Sequence, residues 1–278
     1  MNTVESTPPE PASRPRFGVP LRIMLPNLVT LLALCMGLYA IRFAIDGYYE
    51  FAVIAVASAA ILDGLDGRIA RALKSTSRFG AELDSLADFV DFGVAPALIL
   101  YYWSLHANKS FGWFAAIVFA IACALRLARF NVMVDDPKRP GWAANFFVGM
   151  PAPSGAIVVL LPLYLNLSDV VAMPNDPRFV PFEIAYVLFV AFLMASRIPH
   201  FSGKQMRRVP RDRVIAVLFA VAVLILLIAT FPMEMLIALA VVYLLMIPFS
   251  IRSFQTHARR TTDISPVTPA GRSASQGP

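Results

Sequence analysis

Eight long apolar segments, separated by short polar connections, constrain this chain more than any other feature of its sequence. They cover about residues 23–45, 50–72, 82–104, 111–131, 151–167, 181–198, 212–231 and 233–251. A helix needs roughly 20 apolar residues to cross a bilayer, and each segment reaches or approaches that length. Because 58% of the residues are hydrophobic, an ordinary soluble domain is excluded. The sequence therefore predicts an all-α integral membrane protein with about eight transmembrane helices.

The basic residues predict how these helices are oriented. All but three of the 24 Lys and Arg residues lie before the first segment, around connections on the same side of the membrane, or at the end of the chain, the exceptions being Arg42, Lys109 and Arg178. Connections rich in Lys and Arg remain cytoplasmic, so both termini are predicted on the cytoplasmic side of a bacterial-type inner membrane. The net charge of +6 is then explained by a basic face that meets anionic lipid, and no nucleic-acid partner is expected.

The two ends of the chain differ from its interior. Polar composition predicts disordered tails at residues 1–16 and 253–278. The last two apolar segments are joined only by FPMEM, which predicts a transmembrane helical hairpin within residues 201–252.

Four aspartates interrupt the apolar pattern within LDGLDGRIARALKSTSRFGAELDSLADF, residues 62–89. Asp63 and Asp66 are three residues apart, and Asp84 and Asp88 are four apart, so each pair lies on one face of a helix. The polar run KSTSRFG makes a short connection, which allows the two pairs to converge on consecutive antiparallel helices. Four carboxylates would repel one another in a low dielectric, whereas hard divalent cations such as Mg²⁺ or Mn²⁺ prefer oxygen ligands. The pattern predicts a divalent metal site.

Glycines and arginines surround these aspartates. Gly67 and Gly80 would let a bulky ligand approach the backbone, and Arg71 and Arg78 could hold phosphate oxygens. Together with a metal, they indicate phosphoryl transfer from a nucleotide diphosphate at the membrane surface. Two alternatives remain open: the arginines are interfacial anchors, or the acids belong to a divalent-cation transporter.

The same residues spell D-x2-D-G-x2-A-R-x8-G-x3-D-x3-D, which resembles the signature of the CDP-alcohol phosphatidyltransferases. The resemblance implies an integral-membrane enzyme with a six-helix core, here residues 17–200, that is usually homodimeric. Such an enzyme exchanges the CMP of a CDP-linked lipid for an alcohol.

The resemblance also implies roles by position. Asp63, Asp66 and Asp84 would bind two divalent cations, Mg²⁺ or Mn²⁺, and Asp88 would contact metal and act as the general base. The residues implied to border the CDP moiety are Gly67, Arg71 and Gly80. The element LPNLVTLLALCMG (25–37) resembles the first helix of the family, in which Asn27 and Thr30 would face the cytidine. Alternatively, Pro26 starts this helix and Asn27 caps it.

Three further elements concern the acceptor alcohol. SLADFVDFGVAPAL (85–98), RLARFNV (126–132) and FVGMPAPSGA (147–156) resemble the membrane-integral phosphatidylserine synthases. This implies CDP-diacylglycerol and L-serine as substrates. Glycerol 3-phosphate, inositol and choline remain alternative acceptors, and a scaffold that kept the motif is a further one.

Arg126 and Arg129 are three residues apart on one helix. We hypothesise that one of them positions the serine carboxylate or a substrate phosphate; the alternative is that both are snorkelling anchors. Asp91 stands where many serine synthases have a small polar residue. It is interpreted as a neutral substitution that lines a wet cavity, with binding of the serine ammonium or tuning of Asp88 as alternatives.

Overall fold

The computed structural model describes residues 21–134, 146–169, 176–196, 199–201 and 214–263. The α-helices of these ranges are α1 (Leu21–Ile45), α2 (Tyr49–Ala72), α3 (Arg78–Phe89), α4 (Ala95–Trp103), α5 (Lys109–Val134), α6 (Ala152–Val159), α7 (Leu161–Leu167), α8 (Val180–Ala195), α9 (Val214–Thr230) and α10 (Pro232–Asp263). A π-helical turn, Val90–Val94, joins α3 to α4, and 3₁₀ turns at Leu105–Asn108 and Pro177–Phe179 precede α5 and α8. All eight predicted apolar segments coincide with helical structure, which confirms the prediction of an all-α membrane protein.

Four helical segments are long and apolar enough to cross a membrane without interruption. They are Met24–Ile45, Leu105–Met133, Pro177–Ala195 and Pro232–Ser250. The other predicted spans are helical but differ in character. The second predicted span contains charged residues, and the third and fifth predicted spans are interrupted. The described part of the seventh predicted span is 17 residues long.

Helices α1 and α2 form an antiparallel pair that faces the rest of the core. One face of α1 presents small residues at intervals of three or four: Thr30, Ala33, Gly37, Ala40 and Ala44. Residues at this spacing share one face of a helix. Ala33, Ala40 and Ala44 are almost fully buried, so this face of α1 is packed against the protein. The small side chains allow α2, α3 and the π-helical turn to approach the α1 backbone closely.

The third apolar segment is broken by the π-helical turn. The buried residues of this turn are Asp91, Phe92 and Gly93. A Cβ added to Gly93 would lie 3.0 Å from the Cβ atom of Cys123, so α5 packs directly against this turn. Such turns commonly occur at functional sites, and this one lies two residues after Asp88.

The fifth apolar segment is broken at Leu160, between α6 and α7. Pro162 has no N–H and cannot donate to the carbonyl of Val158, which would continue α6. The Tyr186 hydroxyl of α8 donates to this carbonyl instead, at 2.7 Å. Strand β1 (Phe146–Val148), which precedes α6, forms a short antiparallel pair with β2 (Pro199–Phe201), which follows α8. The sequence did not predict this pair.

The C-terminal part consists of α9 and α10, which are separated by Phe231 alone. That they form a transmembrane hairpin stays a prediction. Helix α10 packs against α6 and α7. The sequence places the start of the C-terminal tail at residue 253, whereas α10 continues to Asp263. No proline or glycine lies between Pro248 and Asp263, so no residue of the kind that breaks helices ends it earlier.

Several predictions concern residues outside the described ranges. They include the N-terminal tail, residues 264–278 and most of the basic connections, among them Lys138, Arg139, Arg197, Lys204, Arg207, Arg208, Arg211 and Arg213.

Candidate active site

The four signature aspartates converge where α2 and α3 face each other. One carboxylate oxygen each from Asp63, Asp66 and Asp84 lie within 4.8 Å of one another. Asp88 follows Asp84 by four residues on α3 and lines one cavity together with Asp63 and Asp84. Carboxylates gathered in this way repel one another unless a proton or a cation lies between them. The donors are all oxygen atoms, the ligands that Mg²⁺ and Mn²⁺ prefer, so the residues present fit a divalent cation.

The connection between α2 and α3 fixes this convergence. Lys74 adopts a left-handed conformation with φ of 49° and reverses the chain after α2. Ser77 then caps α3, because its hydroxyl accepts the N–H of Gly80 at 3.0 Å. An N-cap of this kind satisfies a donor that the helix itself leaves free. The cap sets where α3 begins and therefore the direction in which Asp84 and Asp88 project.

Helix α1 supports the cluster through Thr30. The Thr30 Oγ1 atom lies 2.6 Å from Asp66 Oδ2 and 3.1 Å from the carbonyl oxygen of Pro26. A hydroxyl carries one proton, and the shorter contact indicates that it is donated to the carboxylate. Thr30 and Asp66 are 5% and 4% exposed, so this hydrogen bond is shielded from water. It fixes one oxygen of Asp66 and leaves the other for a ligand.

A cavity of about 420 Å³ opens on the α1 side of the aspartates, and we call it the α1 cavity. Its lining contains seven of the predicted site residues: Asn27, Thr30, Asp66, Gly67, Arg71, Gly80 and Asp84. The alternative in which Pro26 starts α1 and Asn27 caps it is wrong, because α1 begins at Leu21 and both residues lie within it.

The two signature glycines have different surroundings in the α1 cavity. A Cβ at Gly80 would lie 2.9 Å from Asn27 Oδ1, so the missing side chain lets α3 approach α1. A Cβ at Gly67 would make only ordinary contacts, the closest being Arg71 Nη1 at 3.5 Å. The backbone at Gly67 is therefore open to the cavity, as expected where a ligand approaches it.

A larger cavity of about 750 Å³ opens on the opposite side of the aspartates, towards α5, and we call it the α5 cavity. Its charged and polar lining consists of Asp63, Arg78, Glu82, Asp84, Ser85, Asp88, Arg126 and Asn131. Asp84, Ala81 and Phe130 line both cavities. The acidic cluster thus forms part of a common wall between them.

The two arginines of α5 have different roles in the structure. Arg126 is 7% exposed, lines the α5 cavity and places its guanidinium 5.3 Å from the centre of the Phe130 ring. Arg129 donates from Nη1 to the carbonyl oxygens of Ala195 and Ser196, at 2.8 and 3.2 Å. These carbonyls end α8 and lack helical partners. Arg129 therefore caps α8, a role that neither the substrate-binding hypothesis nor its alternative, a snorkelling anchor, included. Of the two arginines, Arg126 is the one that lines the cavity.

Asp91 does not line either cavity. Its side chain is 1% exposed, and its Oδ1 atom has no hydrogen-bond partner among the described residues. It lies against α1, where a Cβ at Gly37 would be 1.9 Å from Asp91 Oδ1. The interpretation of Asp91 as lining a wet cavity is therefore wrong, since the side chain projects into the interface between α1 and the π-helical turn.

Several lining residues were not predicted. Ser75 is 7% exposed, lines the α1 cavity, and its Oγ has no hydrogen-bond partner among the described residues. Asn131 Nδ2 donates to Ser85 Oγ at 2.9 Å across the α5 cavity. Pro151 and Pro153, from the Gly-x-Pro-x-Pro element, line the same cavity. The polarity of the α2–α3 connection was a signal for Ser75, whereas nothing in the sequence pairs Ser85 with Asn131.

Comparison with known proteins adds to this geometry. The family model described as CDP-alcohol phosphatidyltransferase matches residues 23–197. Three curated relatives carry the name CDP-diacylglycerol–serine O-phosphatidyltransferase. The protein from Mycobacterium tuberculosis (strain H37Rv) is 40% identical over 242 residues, 86% of this chain and 82% of the relative. The Mycobacterium leprae protein is 46% identical over 67% of this chain and 61% of its own length. The Helicobacter pylori (strain 26695) protein is 34% identical over 66% of this chain and 74% of its own length.

Proposed function

The chain belongs to the CDP-alcohol phosphatidyltransferase family, and from this premise we propose that it transfers the phosphatidyl group of CDP-diacylglycerol to L-serine. The products are phosphatidylserine and CMP. Curated relatives from three distinct bacteria carry the name of this activity. The observation that supports the proposal is the acidic wall between two cavities, because a nucleotide in one cavity and an acceptor in the other would meet at the same carboxylates.

The α1 cavity is proposed to receive the nucleotide. Asn27 and Thr30 supply polar groups for the cytidine, and the open backbone at Gly67 allows the diphosphate to approach. Arg71 lines the same cavity and offers a forked cation for phosphate oxygens. Gly80 serves indirectly, by allowing α3 to approach Asn27. The acyl chains would enter sideways from the bilayer between the helices.

The carboxylates Asp63, Asp66, Asp84 and Asp88 are proposed to hold two divalent cations, Mg²⁺ or Mn²⁺. When bound, such cations neutralise the diphosphate and stabilise the charge that develops on the departing CMP. Thr30 orients Asp66 for this task through its 2.6 Å hydrogen bond.

The α5 cavity is proposed to receive serine. Arg126 lines this cavity and binds the serine carboxylate, while Arg78 is placed at its rim for a substrate phosphate. The serine Oγ attacks the phosphatidyl phosphorus and forms the new P–O bond as the bond to CMP breaks. Asp88 accepts the hydroxyl proton in this step. Arg129 remains outside the reaction, because its Nη1 donates to the carbonyls at the end of α8 and holds the side chain there.

The active site is proposed to face the cytoplasm. Two of the three basic residues on the opposite side are paired with carboxylates: Arg42 with Asp46 at 2.7 Å and Arg178 with Asp176 at 3.2 Å. The proposed orientation rests on the count of Lys and Arg, because only three of the 24 are predicted on that side. An inner-membrane location and a homodimeric state are further proposals, and the dimer rests on the family resemblance.

The test is CMP release from CDP-diacylglycerol by the purified protein with Mg²⁺ or Mn²⁺. Serine, glycerol 3-phosphate, inositol and choline are supplied in parallel, and a chelator should abolish release. Release with serine alone, with phosphatidylserine as product, supports the proposal. Release with another alcohol would replace the acceptor, and no release with any alcohol from a folded sample would favour a transporter or a scaffold.

Substitutions separate the proposed roles. Asp88→Asn should keep CDP-diacylglycerol binding but abolish turnover, whereas Asp63→Ala and Asp84→Ala should lose activity together with the response to metal. Glu50→Gln is the matched control, because this carboxylate is exposed in the first turn of α2, far along the helix from the cluster. Turnover retained by Asp88→Asn would refute its role as general base.

A further inference from the structure

A third cavity, of about 240 Å³, lies between α4, α7 and the start of α8, and we call it the α8 cavity. Glu183 lines it and precedes Ala195 by twelve residues, so about 18 Å separate the two along α8. The carbonyl of Ala195 accepts from Arg129, which lies on the part of α5 that carries Arg126. The α8 cavity is therefore at the opposite end of the helices from the aspartates. Its polar and aromatic lining consists of Trp103, Asn166, Phe179, Phe182, Glu183 and Tyr186.

Glu183 is the charged residue of this lining. Its side chain is half-buried, and its Oε2 atom accepts a hydrogen bond from the Ser104 hydroxyl. It lies in the first turn of α8, where the helix dipole stabilises negative charge. No Lys, Arg or His of the described residues forms an ion pair with it, and Arg178, the basic residue nearest in sequence, is paired with Asp176 at 3.2 Å. A carboxylate withdrawn from water in a membrane span favours a cationic partner, so the cavity is suited to a cation that is not part of the chain.

The aromatic residues near Glu183 favour an organic cation over a metal ion. The Trp103 indole is 6% exposed, and its Nε1 atom donates to Asn166 Oδ1 at 3.3 Å, which holds the ring in place. The Tyr186 hydroxyl donates to the carbonyl of Val158, so Tyr186 contributes its ring to the cavity and not its hydroxyl. The faces of such rings attract ammonium groups, whereas hard metal ions prefer a shell of oxygen atoms. One carboxylate among aromatic walls therefore selects an ammonium group.

The carboxylate also distinguishes among ammonium groups. Oε2 of Glu183 is bonded to Ser104, whereas Oε1 has no hydrogen-bond partner among the residues that the structure describes. A primary ammonium can donate a hydrogen bond to this oxygen. A quaternary ammonium has no N–H and would leave the oxygen unpaired in a site partly shielded from water. The cavity is therefore better suited to a primary ammonium.

The position of the cavity favours a lipid as the source of this ammonium. Phe179 and Phe182 line the cavity but are 42% and 73% exposed, at the first end of the apolar span Pro177–Ala195. Aromatic residues at the end of a span lie at the level of the lipid head groups. A volume of about 240 Å³ is below the roughly 300–1,000 Å³ of pockets for drug-sized ligands, so it suits a head group without its acyl chains.

We propose that the α8 cavity binds the primary ammonium of a phospholipid head group, at the membrane surface opposite the active site. The ammonium donates to Oε1 of Glu183 and is surrounded by the rings of Trp103 and Tyr186. The acyl chains stay in the bilayer beside Phe179 and Phe182. This site is independent of the proposed function, because it shares no lining residue with the α1 cavity or the α5 cavity.

The experiment measures lipid binding to the full-length protein, purified in a non-ionic detergent. Dihexanoyl phosphatidylethanolamine and dihexanoyl phosphatidylcholine, which differ only in the methylation of the ammonium, are titrated in parallel, and bound lipid is counted by native mass spectrometry. Glu183→Gln removes the charge and keeps an oxygen that can accept from Ser104. Glu234→Gln is the matched control, because Glu234 is half-buried in the first turn of α10 and accepts from the Ser168 hydroxyl, yet does not line the cavity. The midpoint of thermal unfolding identifies the folded variants.

The wild type and Glu234→Gln should bind phosphatidylethanolamine about tenfold more tightly than phosphatidylcholine, the effect of one charge-assisted hydrogen bond. Glu183→Gln should bind both lipids alike, with the affinity of the wild type for phosphatidylcholine. Phe182→Leu, a change at an exposed position, should weaken the binding of phosphatidylethanolamine about threefold, and it decides the matter if Glu183→Gln does not fold. Equal affinities of the wild type for the two lipids, or unchanged selectivity in Glu183→Gln, would overturn the inference.

Dissolved ethanolamine separates the two sources of a primary ammonium. It should displace phosphatidylethanolamine only at concentrations about tenfold higher or more, because it lacks the phosphate and the acyl chains that contact the rest of the protein surface. Displacement by ethanolamine at the same concentration as the lipid would assign the cavity to a free amine and would overturn the assignment to a lipid head group.

Discussion

Gly37→Ala tests how tightly α1 packs against the π-helical turn. The added Cβ would lie 1.9 Å from Asp91 Oδ1, 2.8 Å from Asp91 Cγ and 3.0 Å from Asp91 Cα. Carbon and oxygen atoms meet at about 3.3 Å even in close contacts. The methyl group therefore cannot be accommodated without movement of the carboxyl group, the backbone of the turn, or both.

The size of the effect follows from the lack of free space. Asp91 is 1% exposed, so its carboxyl group has no solvent-filled room into which to rotate. Overpacking of this kind costs about 1–3 kcal/mol, and about 2 kcal/mol corresponds to a fall of about 4–8 °C in the unfolding midpoint. Activity should fall as well, because Asp88 lies three residues before Asp91 and moves with the turn.

The assay is thermal unfolding of four proteins in one detergent: the wild type, Gly37→Ala, Asp91→Ala and the double variant. The double variant should recover about 1–2 kcal/mol of coupling energy, but not the whole loss, since the contact with Asp91 Cα at 3.0 Å remains. Gly64→Ala is the matched control. A Cβ there meets nothing within 4 Å, so helix propensity alone should make it neutral or stabilising by up to about 1 kcal/mol.

Two results would refute this reasoning. One is an unfolding midpoint for Gly37→Ala equal to that of Gly64→Ala. The other is strict additivity, in which the free energy of unfolding lost by the double variant equals the sum of the losses of Gly37→Ala and Asp91→Ala. Either would mean that the carboxyl group of Asp91 does not occupy the space in front of Gly37.

Three further predictions concern the support of the site. Thr30→Val should raise the Mn²⁺ concentration for half-maximal activity about 10–100-fold, because it removes the hydrogen bond that orients Asp66. Thr30→Ser, which keeps the hydroxyl, should restore the wild-type Mn²⁺ concentration. An unchanged metal titration for Thr30→Val would contradict the role given to Thr30. Arg129→Met should lower the unfolding midpoint, since it removes the donor that caps the carbonyls of Ala195 and Ser196. The serine KM of the folded fraction should stay unchanged. A raised serine KM would mean that Arg129 contributes to serine binding. Ser77→Ala should cost about 1 kcal/mol by removing the cap of α3, and Ser77→Asn, which can cap, should recover most of that loss in the same unfolding assay.

Much of the fold follows from hydrophobic length alone. The predicted segments agree with the helices because a run of about 20 apolar residues in a membrane protein has no stable alternative to a helix. The interruptions were not predicted, although Pro162 gave a local signal for the break at Leu160. The π-helical turn could not be predicted, because it depends on the approach of Gly37 and Cys123 from other helices.

The site, like the fold, could be predicted from the sequence only in part. The spacing of Asp63, Asp66, Asp84 and Asp88 was sufficient to predict that they converge, since helical period and a short connection fix their directions. The roles of Arg126 and Arg129 could not be separated in the sequence, because residues three apart share a face. Only the position of the α8 carbonyls decides that Arg129 is used for capping.

The acidic wall that the two cavities share has a consequence for the order of events. The cavities proposed for the nucleotide lipid and for the amino acid are separate spaces that share only Asp84, Ala81 and Phe130 in their linings, so neither substrate would have to depart before the other enters. The reaction then proceeds through a ternary complex, and no enzyme-bound lipid outlives the release of CMP. Double-reciprocal plots of initial rate against CDP-diacylglycerol concentration, measured at several fixed serine concentrations, should therefore intersect. An enzyme that released CMP before serine bound would give parallel lines.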